Sequence, residues 1–281
     1  MDISRRVFLG ALSLPAFVPA APADTIRVGC QANAWPLKPG NFAGLLDVFR
    51  EAKGLDYVGI ECNVRFVEDQ FPRAAAARKQ MKATGVQYIG AHMSMNQAKS
   101  EKFAGTAKSV AALGAERVVM SGTGLSPTGN FEQAALKTKA AELERIGKLC
   151  QQNGVRMAYH NHNPEFANHN AEIEGLADNT SAELVDFLMD AGHGYLGGGD
   201  PAEFLMLHSS RIFGIHVKTF HGRDQQTPLG EGDFGFDALA AAIETSGWKG
   251  WIISEEGGNP RYANKGALAG DRAYIRKVFG V

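Results

Sequence analysis

The chain has too few cysteines for a disulfide framework. Cys30, Cys62 and Cys150 are its three, and an odd number leaves at least one thiol free. Cys30 and Cys62 fall on segments that read as neighbouring strands, where one bridge is conceivable. The other reading is three buried thiols packing as small apolar groups. Charge of one sign is also lacking, since the formal net charge is −1. That argues against a nucleic-acid-binding protein, which should show a basic excess or stripe. Past the first two dozen residues there is no low-complexity tract, charge block or repeat. The remainder, 44% hydrophobic and 21% charged over 281 residues, is ordinary globular composition.

Long apolar runs are missing as well. The nearest to one lies in residues 1–23 and is broken by Pro15 and Pro19, too short to hold a stable membrane span. Ser4-Arg5-Arg6-Val7-Phe8-Leu9-Gly10 is a twin-arginine pattern ahead of that run, and Ala21-Pro22-Ala23 is a small-residue cleavage site. We therefore expect residues 1–23 to be a twin-arginine signal peptide. Residues 24–281 are expected to be one periplasmic domain without a stable membrane anchor. Homo-oligomerisation stays open.

The domain alternates β-rich and helical segments. Strand patterns fall at Thr25–Cys30, Tyr57–Glu61, Val86–His92, Arg117–Ser121, from Val155 onward, Leu184–Asp190, Ile212–Lys218 and Trp251–Glu255. Helical spacing follows at Phe42–Ala52, Arg73–Thr84, Ser100–Leu113, Phe131–Asn153, Pro201–His208, Phe236–Ser246 and Lys265–Phe279. Eight strand–helix units over this length predict a (β/α)8 TIM barrel. The rival, a doubly wound open sheet, wants a glycine-rich phosphate loop after its first strand, and none is there.

Barrel enzymes work at the carboxyl ends of their strands, and polar groups collect there: Glu61, His92, Ser121, the stretch His160–Glu165, Asp190, His216, Lys218 and Glu255. Alternation along each strand sorts inward from outward side chains. On the seventh strand Phe213, Ile215 and Val217 share one side, so His216 and Lys218 share the interior. On the fifth, Ala158, His160 and His162 align; on the eighth, Trp251, Ile253 and Glu255. Burying an unpaired carboxylate or imidazole costs several kcal/mol, on the order of a lost hydrogen bond or more. A divalent cation is the economical partner for several at once.

At these positions the chain resembles the sugar phosphate isomerase/epimerase family, the xylose isomerase-like TIM barrels. The resemblance rests on YHNHNPEF, DAGH with GGGDP, GIHVK, PLGEGDF and ISEE, and spans about residues 26–281. It implies one divalent metal ion (Mn²⁺, Co²⁺, Mg²⁺ or Zn²⁺) held by Glu165, Asp190, His216 and Glu255. It further implies that Glu165 and Glu255 serve as the acid/base pair and that His193 contacts substrate. Glu61, His92, His160, His162 and Lys218 complete the expected substrate-binding set. His160 and His162 are equally open to supporting the ligands, and Lys218 to pairing with Glu61. Glu231, in PLGEG, matches a recurrent loop residue whose role stays open. The chain departs from the family between Glu165 and the sixth strand, where ANHNAEIEGLADNTSAE is too short and broken for a full helix. A fifth helix of a turn or two is expected.

Three functions follow. The leading expectation is isomerisation or epimerisation of a sugar, keto-sugar or glycoside through an enediolate. A lyase is the second, dehydrating a keto-polyol or cleaving a 3-keto-glycoside by β-elimination. The third is a non-catalytic sugar-binding barrel. Each takes a small-molecule carbohydrate as partner.

Overall fold

Residues 24–223, 225–257 and 265–281 are described by a computed structural model. The twin-arginine segment, residues 1–23, lies outside them. Strands β1 (Arg27–Gln31), β2 (Gly59–Asn63), β3 (Gln87–Ser94), β4 (Arg117–Ser121), β5 (Arg156–His160), β6 (Val185–Asp190) and β7 (Ile212–Val217) run parallel. After β7 the chain makes an antiparallel hairpin, β8 (Thr219–His221) with β9 (Gln225–Thr227), then returns as β10 (Trp251–Ser254) between β7 and β1. The sheet closes in the order β1, β10, β7, β6, β5, β4, β3, β2, which is the predicted TIM barrel. Closure leaves the barrel without a free strand edge.

The outer layer is α1 (Phe42–Gly54), α2 (Ala74–Ala83), α3 (Phe103–Leu113), α4 (Gln133–Gln152), α5 (Ala167–Asp178), α6 (Ala191–Leu196), α7 (Pro201–His208), α8 (Asp237–Ser246) and α9 (Leu268–Phe279). Phe42, Leu45, Leu46 and Phe49 bury one stripe of α1 against the sheet, and Asn41 caps that helix by accepting from Gly44 N at 3.0 Å. The short fifth helix is present. Asn168, His169 and Asn170 hold left-handed dihedrals (φ 52, 56 and 62), so helical geometry begins only at about Ala171. Asn tolerates that region better than other residues. Asn170 also ties the loop down, its amide accepting from Asp200 N at 2.8 Å and donating to Asp200 O at 3.0 Å.

Two apolar compartments stabilise the fold. The larger lies between sheet and helices; the smaller fills the barrel with Ile89, Val119, Ala158, Leu188, Trp251 and Ile253. Trp251 is fully buried, and its indole crosses to β2, where a Cβ on Gly59 would stand 2.6 Å from the ring. Below Trp251 the floor is closed by Arg27, stacked 4.0 Å over the indole and paired with Glu116 at 3.1 Å. Above it, at the carboxyl ends, the interior turns from apolar to polar. All three cysteines are free and buried, without a Cys30–Cys62 bridge. Burial pushes the Cys62 and Cys150 thiols up to about 12, which leaves them unreactive apolar groups.

Candidate metal centre and cleft

Alternation on each strand delivers the polar groups to the barrel mouth. His160 follows Ala158 inward on β5, and His216 follows Gly214 on β7. Asp190 ends β6 in register with His216, and Ile253 pairs with the same histidine across β10. Glu255, next inward after Ile253, reaches His216 Nδ1 with Oε2 at 2.5 Å. Glu256 points the other way, into a buried pair with Asp271 of α9.

One atom from each of His160, Asp190, His216 and Glu255 falls within a 4.8 Å group, and all four residues are buried. Glu61, His92 and His216 form a second such group sharing the same histidine. Metal–ligand bonds of about 2.0–2.2 Å place opposed donors roughly 4 Å apart, so the first group has the dimensions of a cation site. Its donor chemistry fits as well. His160 is 2% exposed, its Nδ1 has no hydrogen-bond partner among the described residues, and its Nε2 stands 3.9 Å from Asp190 Oδ2. Burial, reinforced by the charges of His216 and His92, holds His160 well below the usual imidazole range, so it is a neutral donor. Burial also opposes charge on His216, but Glu61 and Glu255 outweigh it and pull that imidazole up to about 10. Glu255 is kept well below the carboxylate range, because Lys218 and His216 overcome its burial.

Glu165, the expected first ligand, is in neither group. Its carboxylate is fully buried on the helix side of β5, where Oε1 accepts from Tyr159 Oη at 2.6 Å and Oε2 from His162 N at 3.2 Å. Lys139 Nζ stands 3.6 Å from Oε1. The reason is local: Asn163–Phe166 is a 3-10 turn, and Glu165 folds back to cap it. His160 stands where the first ligand was expected. Lys218 pairs with Asp190 (2.8 Å) and Glu255 (3.1 Å), not with Glu61. Glu61 instead lies against His216, Gln31 and His92, and His92 Nδ1 is 3.1 Å from Ser121 Oγ.

The remaining expected residues surround this centre. His162 is half-buried, with an Nδ1 that has no partner among the described residues, its ring centroid 5.1 Å from His160 and 4.9 Å from His193. His193 caps onto Asp190 Oδ1 through its backbone N (2.8 Å), and its Nδ1 bonds Asn163 Oδ1. Burial and then Lys218 lower the His193 imidazole to about 3, so it is neutral. A cleft of about 260 Å³ opens beside Glu255, His92, His160 and His162. Its other walls are the amides of Gln31, Asn33, Asn63 and Gln97 with the hydroxyls of Ser94 and Ser121, and among the described residues no lysine or arginine lines it. Glu231 is exposed in its loop.

In the sequence, Asn161 is only one polar group within the stretch His160–Glu165. Its buried amide accepts from Asp190 N at 2.8 Å and donates to Asp190 O at 3.0 Å, fixing the backbone that carries Asp190. The alternating His-Asn-His pattern, with one residue facing opposite to its neighbours, was the available signal.

Residues 49–278 match the family described as xylose isomerase-like TIM barrel. The chain belongs to that family. Inosose dehydratase of Bacillus cereus (strain AH820) is 30% identical over 181 residues, which are 54% of this chain and 61% of the relative. The matched part thus spans about six-tenths of that relative's length. Among solved structures, a sugar phosphate isomerase/epimerase from Parabacteroides distasonis superposes with a TM-score of 0.65 at 18% identity, covering 94% of this chain and 97% of its own. The IolI protein, solved with a bound zinc atom, gives a TM-score of 0.70 at 16% identity, covering 90% and 98%. Those two likenesses are of fold. These named relatives of the xylose isomerase-like barrel are a dehydratase and an isomerase/epimerase.

Proposed function

We propose that the protein is a divalent-metal-dependent carbon–oxygen lyase acting on an uncharged keto-polyol or 3-keto-glycoside. One observation carries this: the Glu165 carboxylate is committed to Tyr159 and the His162 backbone, outside the cleft. Epimerisation by the expected acid/base pair needs Glu165 and Glu255 on opposite faces of one carbon. Elimination needs one base and one acid, and a single carboxylate with imidazoles beside it suits that division. The similarity to inosose dehydratase supports the same choice.

His160, Asp190, His216 and Glu255 would hold the ion. When bound, it supplies Lewis-acid polarisation of a substrate carbonyl and offsets the negative charge developing there. Two imidazoles and two carboxylates suit Zn²⁺, Co²⁺ or Mn²⁺ better than Mg²⁺. Glu255 is the base. Its Oε2 is taken by His216 and Lys218, and among the described residues no hydrogen bond reaches Oε1. Oε1 takes the proton from the carbon next to the ketone. The C–H electron pair becomes a C=C bond as the β C–O bond breaks, and the leaving oxygen takes a proton from His162. Water or an alcohol departs, and an enone remains. The amide and hydroxyl walls suit the hydroxyls of a neutral polyol. Export by residues 1–23 is part of this proposal and agrees with an unphosphorylated substrate.

The test is incubation of metal-loaded protein with a cyclic keto-polyol and with a 3-keto-glycoside, followed by mass spectrometry. Loss of water or release of the aglycone is expected. A product of unchanged mass and inverted stereocentre would establish the epimerase instead, and saturable binding without turnover the sugar-binding barrel.

A further inference from the structure

Four ligands for one cation leave Glu61 unexplained, although three side chains at the mouth bind it. It is fully buried at the carboxyl end of β2, so it presents no surface to a substrate. Both of its oxygens are engaged. Oε1 accepts from Gln31 Nε2 at 2.8 Å and also meets His92 Nε2; Oε2 stands 3.2 Å from His216 Nε2. On the opposite edge of the His216 ring, Nδ1 faces Glu255 Oε2 at 2.5 Å, on the side of the four-donor group.

Facing carboxylates on both edges, the metal-free ring keeps both protons; once it ligates a cation it has one N–H and one lone pair, and the two edges of His216 must divide them. A lone pair on Nε2 would face the Glu61 carboxylate and repel it. A proton on Nε2 is donated to that carboxylate, and the lone pair then falls to Nδ1. We infer that Glu61 is a positioning residue: it fixes His216 in the Nε2–H form and so directs the Nδ1 lone pair to the cation. This rests on the preceding reading of His160, Asp190, His216 and Glu255 as ligands. A carboxylate behind a ligating histidine sets the ring's tautomer, orientation and basicity. Gln31 holds the carboxylate from one side and His92 from another, so Glu61 has little freedom to turn. The rival arrangement makes Glu61, His92 and His216 the ligands of a second cation. That requires His216 to give a lone pair from each nitrogen, which means an imidazolate stripped of both protons.

The experiment titrates Co²⁺ into chelator-stripped full-length protein against a chromophoric chelator, and records the visible d–d spectrum. Wild type, Glu61→Gln and Gln31→Ala are compared, with thermal midpoints of the metal-free proteins. Expected are one Co²⁺ per wild-type chain and an affinity about 10- to 100-fold weaker in Glu61→Gln, with an altered spectrum. Gln31→Ala, which loosens Glu61 without removing it, should fall between the two and serves as the variant read if Glu61→Gln does not fold. A purely structural role would lower the thermal midpoint while leaving affinity per folded chain and spectrum unchanged, and that result overturns the inference. Two Co²⁺ per wild-type chain, with one lost in Glu61→Gln, overturns it in favour of the second cation. Wild type that binds no Co²⁺ overturns the preceding reading of the metal centre, a result distinguishable from both.

Discussion

His160 and Glu165 lie five positions apart, and the structure brings the imidazole, not the carboxylate, into the four-donor group. A glutamate next to a barrel mouth looks like the ligand, yet a loop carboxylate follows its turn, and this one folds back to Tyr159. A strand histidine has less choice, because alternation fixes its side. That much was legible: His160 reads as inward-facing from the sequence. The capping of a four-residue turn was not, since nothing in NPEF tells whether Glu165 reaches the cleft or its own backbone. Glu165→Gln should therefore keep full metal stoichiometry and lose about 1–3 kcal/mol of stability through an imperfectly satisfied buried site. His160→Ala should lose at least tenfold in metal affinity with little change in fold. Metal content of the two purified variants decides between them, and metal lost from Glu165→Gln but kept by His160→Ala would reverse the assignment. His160→Glu exchanges an imidazole for a third carboxylate and should move preference from Zn²⁺ toward Mg²⁺ and Mn²⁺. Competition between Zn²⁺ and Mn²⁺ for wild type and variant reads that directly.

At the scale of elements, the site depends on how strand ends are tied together. The Asn161 amide spans from β5 to the backbone of Asp190, doing with one side chain what the ladder no longer does past the strand ends. Asn161→Ala leaves a buried N–H and C=O without partners, and about 1–3 kcal/mol of stability should go with them. Metal affinity should fall too, since Asp190 loses its fixed backbone. Urea denaturation with and without metal measures both, and unchanged affinity would free Asp190 of this dependence. The eight barrel strands were legible within a few residues, β4 at its observed bounds, because each is a short apolar run ending in polar groups. Two elements were not. Residues Ala191–Leu196 look like a glycine-rich loop, and become α6 because the Asp190 side chain caps the His193 N–H. The β8–β9 hairpin has strands too short for alternation to register.

Across the whole molecule, stability should depend on pH through the last turn of the chain around the barrel. Glu256 leaves β10 on the outward side and meets Asp271 in the first turn of α9, which packs over the closing strand. Asp271 is already bonded by Leu229 N at 2.9 Å and Ser254 Oγ at 2.8 Å, so it is the better carboxylate of the two. Burial, and then the Asp271 charge, push Glu256 up to about 9. At neutral pH it therefore keeps its proton and donates it to Asp271. In the unfolded chain Glu256 ionises near 4.3. Between those values the folded state holds a proton that the unfolded state has released, so stability falls as pH rises. The contribution is complete below about 4.3 and gone above about 9. Glu255 acts in the opposite sense: held well below its ordinary value, it stabilises above that value and loses its contribution in acid. Together they place maximal stability between the acid and alkaline limbs, with Glu256 and the raised His216 both acting on the alkaline one. Glu256→Gln keeps a donor for Asp271 and removes the titration. Urea midpoints of wild type and variant, taken at pH 5, 7 and 9 in one metal state, should diverge with rising pH and favour the variant at pH 9. Parallel midpoints across the range would mean that Glu256 ionises without opposition and that α9 closes the barrel independently of this shared proton.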